Sequence, residues 1–416
     1  MAQKIYADVP QNQGAKNALL RAQQLAKLRW TPRALYPVVY PTGVRRGDTI
    51  KAFFQPNHPQ IGVGYSAVGY TNEKYVGSNV SIHTYMTALA NPNSILYTRI
   101  QHDRGRLCAA SYGSVCSQFA SFVLGFPFHI DCPQFSQMEE MEHIDSTCLE
   151  NLQLCDLLNE PRTHTAVITG INRDEAGKVA SITVTEGTPP QILSNTFMPE
   201  EFLKYWLEDG FEVLRYKNLA NVTYTPDAWV HLDGDPEMPR PVPNAALLPD
   251  YGDCANYRLG EEVVFTVFEK DCKHILVLQA GFEIQLPVKD GIAAFKPHKP
   301  GFYQAFALSC RERCPQRSEE KRQPVEFYVT EAAIITDKES YKTGEHICLA
   351  FSCSAEDTLV GIMIKKETGA KYWGYMQDSG IPESLQLPTG KYYIIAHYRN
   401  PFGVYTATPT PVFSVD

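Results

Sequence analysis

The sequence predicts an α+β domain followed by two all-β sandwiches, and three observations carry that prediction. Its 416 residues suffice for two to three domains of ordinary size, each able to bury its own core. Helical and strand patterns mix up to about residue 240, whereas short apolar runs punctuated by Gly, Pro and Asp continue from there to the end. That last part also repeats itself: YRLGEEVVFTV from Tyr257 matches YKTGEHICLAF from Tyr341, and KPGFYQAFAL from Lys299 matches LPTGKYYIIAHY from Leu387. Two copies, each with several short strands and Tyr-Gly or Gly-Tyr corners, read as tandem β-sandwiches. The expected domains are 1–245, 246–332 and 333–416, with the Pro-rich segment 235–250 as the linker.

Composition narrows the class. With 44% hydrophobic and 20% charged residues, and only 27 Gly and 29 Pro, disordered, collagenous and coiled-coil chains are excluded. The net charge of −8 and the lack of a long basic run argue against nucleic acid or an anionic membrane as the main partner. The longest apolar stretches are strand-sized, so no membrane span is expected, and MAQKIYADVPQNQG lacks an apolar signal core. The expected location is cytoplasmic, or extracellular and wall-associated if a leader has been removed. Eleven cysteines cannot all pair within one chain.

The elements follow in order. GAKNALLRAQQLAKL (14–28) spaces Ala15, Leu19, Ala22 and Leu25 as one helical face and ends at Trp30-Thr31-Pro32. Residues 33–106 show no period and read as irregular. SVCSQFASFVLG (114–125) sets Cys116, Phe119, Ala120, Val123 and Leu124 on one face and stops at Gly125, a short buried helix with Cys116 in its first turn. The acidic stretch 137–159 reads as helical. HTAVITGI (164–171), NRDEAGK and VASITVTE (179–186) read as a β-hairpin. A helix begun by Pro199 (PEEFLKYWLEDG) then precedes the strand FEVLRYK.

One constellation carries chemistry. A helix N-terminus lowers a thiol's pKa through unpaired amides and the macrodipole, and those same amides suit a developing oxyanion. Cys116 holds that position; a buried core cysteine is the competing reading. His164 is the available base. A hairpin symmetric about Glu175 places Glu186 opposite His164 on the same face, where its carboxylate would fix the tautomer and stabilise the imidazolium. A slip of one residue would send Glu186 to the other face.

At these residues the sequence resembles the papain-like cysteine peptidases and amidases of the NlpC and CHAP type, which hydrolyse peptide bonds in bacterial cell walls. VCSQFASFVLG resembles their nucleophile helix, LQLCDLLNEPRTHTAVITGI their Gly-Asp-aliphatic and His-aliphatic-Gly pattern, and ITVTEGT the strand bearing the polar third member. GVGYSA (62–67) resembles their Gly-x-x-Tyr segment, which implies Tyr65 and its neighbour Ser66 on the substrate side. The resemblance implies Cys116 as nucleophile, His164 as general base and Glu186 as orienter, in a papain-like catalytic domain ahead of two immunoglobulin-like sandwiches. The chain departs from the pattern at Val115, where NlpC-type enzymes commonly carry Asp, at Cys155 in place of the Gly, and at Glu186, where many carry His. Asp156 reads as a structural turn residue.

Other features carry less. Cys310 and Cys314 with Cys348 and Cys353 are too loosely spaced for a metal site and lack a His-x-His companion, so no metal or cofactor is expected. His83 and His143 lie near nothing resembling a second triad. The expected activity is thiol-dependent hydrolysis of an amide bond in a peptide, a cell-wall stem peptide foremost. The alternatives are a surface-binding protein whose sandwiches do the recognition beside a vestigial hydrolase domain, and a thiol hydrolase or acyltransferase with a non-wall substrate.

Overall fold

The computed structural model describes residues 4–41, 48–66, 80–98, 112–226, 246–309, 324–354, 357–367, 371–376, 381–407 and 410–416. In the N-terminal part a short strand β1 (Ile5–Ala7) leads into helix α1 (Gln13–Ala26), whose first turn is capped by Asn12 accepting from the Ala15 amide at 2.8 Å. Strands β2 (Arg29–Trp30), β3 (Tyr36–Pro41), β4 (Asp48–Phe54) and β5 (Gln60–Ile61) make two small two-stranded sheets. Helices α2 (Ile82–Ala90), α3 (Cys116–Val123) and α4 (Cys132–Phe135) follow.

The principal sheet is built from β6 (Met141–Ile144), β7 (Leu157–Glu160), β8 (His164–Asp174), β9 (Val179–Thr188), β10 (Gln191–Phe197) and β11 (Glu212–Tyr216). Its order is β10-β9-β8-β7-β11-β6, with β1 also on β8, and every pairing is antiparallel. Helix α3 packs on β8 and β9 and against α1, while the short helix α5 (Pro199–Phe202) packs on β9 and β10.

Two expectations fail here. Segment 137–159 is not helical: β6 and the start of β7 occupy it, because pairing with β11 outweighs local propensity and only a single 3-10 turn, Leu149–Asn151, remains. The region read as irregular contains α2, capped by Ser81 accepting from the Thr84 amide at 3.0 Å. The helix from Pro199 loosens into a wider turn at Leu203–Leu207.

The repeat in the sequence corresponds to repeated topology. The first sandwich comprises β12 (Leu247–Pro249), β13 (Ala255–Arg258), β14 (Val263–Val267), β15 (Cys272–Gln279), β16 (Phe282–Pro287), β17 (Ile292–Phe295), β18 (Gly301–Ser309) and β19 (Val325–Thr330). The second comprises β20 (Ala333–Thr336), β21 (Ser340–Tyr341), β22 (Ile347–Ser352), β23 (Thr358–Lys366), β24 (Lys371–Met376), β25 (Ser384–Leu385), β26 (Gly390–Asn400), β27 (Gly403–Thr406) and β28 (Phe413–Val415). The three-stranded sheets run β12-β14-β17 and β20-β22-β25; the larger ones run β13-β19-β18-β15-β16 and β21-β28-β26-β23-β24, with β27 on β26. In each copy the first strand of the larger sheet pairs parallel with the last. The matched tyrosines act alike: Tyr303 and Tyr392 donate to the carbonyls of Lys299 and Pro388, at 2.8 and 3.0 Å, closing equivalent corners. Strand β12 lies within the expected 235–250 linker, so the end of that segment belongs to the first sandwich, while 235–245 lies outside the described residues.

Both sandwiches lean on the N-terminal part. Next to α2, Asn91 donates to the Pro249 carbonyl (3.2 Å), Ser94 to that of Asp250 (2.8 Å), and Tyr112 to that of Tyr251 (2.6 Å). The second sandwich inserts Lys365, whose Nζ lies 3.4 Å from Asp131, and stacks His397 on Phe128 with ring centroids 4.5 Å apart.

Candidate functional site

Cys116 is the first residue of α3, and its N-cap, Val115, has no side chain able to satisfy the first-turn amides. His164 opens β8 immediately after a tight turn in which Glu160 accepts from the Arg162 amide and the Thr163 hydroxyl, at 3.1 and 2.7 Å. Glu186 sits near the end of β9. The fold brings these three together. His164 Nε2 and Glu186 Oε2 are 2.7 Å apart, and the imidazole and the Cys116 thiol shift each other's protonation. The bond to Glu186 uses Nε2, which leaves Nδ1 as the nitrogen available to the thiol.

The contact is reached through a register other than the expected one. Glu186 pairs with Ala166, not with His164. The hairpin closes between Asp174 N and the Lys178 carbonyl at 2.9 Å, and the Asp174 carboxylate accepts from the Ala176 and Lys178 amides. Gly177 supplies the left-handed residue at φ +79°, so the loop centres on Ala176 rather than Glu175. Moving the centre by one residue displaces the register by two, and a displacement of two preserves the face. His164 and Glu186 are therefore diagonal neighbours, and their longer side chains span the gap.

Electrostatics favour an ion pair. The Cys116 thiol is held well below the ordinary thiol range, first by a hydrogen bond from Cys132, whose Sγ is 4.0 Å away, then, against the cost of burial, by His164 and the Thr165 amide. Cys132 moves the opposite way and keeps its proton. Burial opposes charge on His164, but the charge on Cys116 and the bonds to Cys116 and Glu186 outweigh it and raise the imidazole to about 10. Trp206, 1% exposed, lies nearly parallel to the His164 ring (6.2 Å between centroids, 17°), and Phe211 meets it edge-on at 6.2 Å. These rings shield the His–Glu bond from water, which strengthens it.

The other expected residues are placed as follows. Tyr65 and Ser66 are almost fully buried, 6% and 4% exposed, and Tyr65 bridges to Ser114 just ahead of α3. Asp156 is a structural ion pair: it accepts from Arg215 through both oxygens, each at 2.8 Å, and from the Gln153 amide. Cys155, standing where the resembled family has Gly, adopts φ +73°. His143 pairs with Glu212 at 3.1 Å. Cys348 and Cys353 are free, and Cys310 and Cys314 lie outside the described residues.

Three participants escaped the sequence reading. Cys132 lies 16 residues beyond Cys116 in no recognisable motif; its only signal is Asp131-Cys132-Pro133, a helix start. Trp206 read as one helical residue among others. Gly187 permits the approach of β9 to α3: a Cβ there would stand 3.0 Å from the Val115 carbonyl carbon and oxygen and 3.2 Å from the Cys116 amide.

No family model and no curated protein matches the sequence. Solved structures similar to part of the chain include fibronectin(III)-like modules of Clostridium thermocellum CbhA (12% identity, 41% of this chain and 92% of that one, TM-score 0.20). An I-band fragment of titin (17%, 41% and 64%, 0.20) and the N-terminal Ig1-2 module of the Drosophila receptor tyrosine phosphatase DLAR (13%, 41% and 96%, 0.15) are others. Among the described residues no helix is long and apolar enough to cross a membrane.

Proposed function

We propose that the protein is a thiol-dependent amide hydrolase in which Cys116 is the nucleophile, His164 the acid–base and Glu186 the residue that orients the imidazole. The observation that carries this reading is His164 held at 2.7 Å by Glu186 and interacting electrostatically with Cys116, with the sulfur at the first turn of a helix. Thiolate attack on the carbonyl carbon forms a tetrahedral oxyanion beside the α3 amides. His164 gives its proton to the leaving amine as the C–N bond breaks. The acyl-enzyme is then hydrolysed by water, whose proton returns to His164. The resemblance to NlpC- and CHAP-type enzymes supports a papain-like domain and a peptide substrate, the stem peptide of bacterial cell wall foremost, with the immunoglobulin-like sandwiches placing the catalytic part on its polymer.

Incubation with purified muropeptides should give amide cleavage that Cys116→Ala abolishes; equal cleavage by both chains, or by neither, would refute this proposal. One observation favours the binding-protein alternative, namely that Cys116 is only 4% exposed. Faster alkylation of Cys116 than of the other cysteines counts for the hydrolase, and slower alkylation for a vestigial site.

A further inference from the structure

We infer that His83, Asp253 and Cys254 form a binding site for a divalent transition-metal cation, with Zn²⁺ the best match. The imidazole nitrogen, a carboxylate oxygen and the thiol sulfur all lie within 4.8 Å of one another, close to the spacing a tetrahedral zinc centre imposes on its donors. His83 comes from the first turn of α2 and the other two from the segment entering the first sandwich, 170 residues later, which is why no sequence motif announces them.

The donors are held from behind. Asp253 Oδ1 accepts from the Glu326 amide at 2.7 Å, which turns Oδ2 to His83 Nε2 at 2.8 Å. The Asp253 amide donates to Thr87 and the Cys254 carbonyl accepts from Thr84, both on α2, at 2.9 and 3.3 Å. Such outer contacts orient ligands before a metal arrives. Cys254 sits at φ +57°, a left-handed conformation that costs energy for a residue with a Cβ and is found where the surroundings dictate side-chain placement. Burial and the Asp253 and Glu326 carboxylates push the Cys254 thiol up to about 12, so a metal ion binds by displacing its proton; the resulting thiolate and the Asp253 carboxylate carry two negative charges, which a dication neutralises, and one sulfur and one nitrogen donor disfavour Ca²⁺ and Mg²⁺. The His83 side chain is 40% exposed, so an ion enters from solvent and water completes the coordination. The bound ion would join the N-terminal part to the first sandwich.

The test uses the full-length chain carrying Cys116→Ala, which removes the separate thiol–imidazole pair and makes the result independent of the proposed hydrolase. Equilibrium dialysis should find one tightly held Zn²⁺, and Co²⁺ in its place should show a thiolate charge-transfer band. Cys254→Asn, whose side chain tolerates the left-handed backbone, and His83→Gln, which keeps a hydrogen bond to Asp253, should each lower affinity by at least about tenfold and erase the rise in melting temperature on adding Zn²⁺. Failure of the parent chain to bind stoichiometrically, or undiminished affinity in either folded variant, overturns the site and leaves His83–Asp253 as an ordinary ion pair.

Discussion

Cys132 has no place in a Cys–His–Glu mechanism, yet its sulfur is the one that most favours the Cys116 thiolate. The pH dependence follows from the ion pair. In the proposed hydrolase, losing the Cys116 proton creates the nucleophile, so kcat/KM should rise as pH climbs through a value below the ordinary thiol range. Losing the His164 proton removes the acid for the leaving group, so kcat/KM should fall again near pH 10. Cys132→Ala should move the acid limb upward and leave the alkaline limb in place; an unshifted profile would show that the second thiol does not tune the first. The placement of Cys116, His164 and Glu186 was legible because each sits where a local pattern is strong: a helix start, a strand start and the second strand of a hairpin. Cys132 and Trp206 were not, since their importance comes from which side chains they face, and no period in the sequence encodes that.

Elements tell a subtler story, because a turn centred one residue off still brings His164 and Glu186 together. Apolar alternation in β8 and β9 fixed which face the residues share, whereas Gly177, the Asp174 carboxylate and two compensating irregularities, between Asn172 and Arg173 and between Ile168 and Gly170, fixed the register. The sheet tolerates an error of two residues in the reading and would not have tolerated one. Segment 137–159 shows the converse: its pairing with β11 depends on a strand more than fifty residues downstream, beyond the reach of any local window. Gly187 should be the most sensitive backbone position between β9 and α3. The first atoms a methyl group would meet are the Val115 and Cys116 main chain, which can yield only by moving the helix start. Gly187→Ala is expected to cost about 1–3 kcal/mol by overpacking and to lower kcat/KM at least tenfold, measured by urea unfolding and by turnover of the folded fraction. Full activity in the variant would show that α3 is not held there.

For the whole molecule, the tandem sandwiches were readable because the same Tyr and Gly positions recur in both copies and make the same corners. Their attachment was not, since it joins side chains from strands far apart in sequence, through a shared apolar cluster as well as single polar pairs. Lys365, 4% exposed on β23, meets Asp131 on the loop that leads into α4 and Cys132; His129 on that loop bonds Ser117 of α3 at 2.7 Å. Lys365→Met should therefore destabilise the chain by about 1–3 kcal/mol, because it takes the cation from a mostly buried carboxylate that keeps His129 at 3.4 Å and the Gln134 amide as partners. A change under about 0.5 kcal/mol in urea unfolding would mean the pair contributes nothing. The contact also constrains how such a chain can be rearranged over generations. A foreign sandwich of the same topology, exchanged for the last one, would arrive without a lysine in register with Asp131 and leave that carboxylate beside α4 without its cationic partner from β23. Exchange of the terminal sandwich therefore carries a stability cost at Asp131, which ties the last domain to the loop ahead of α4.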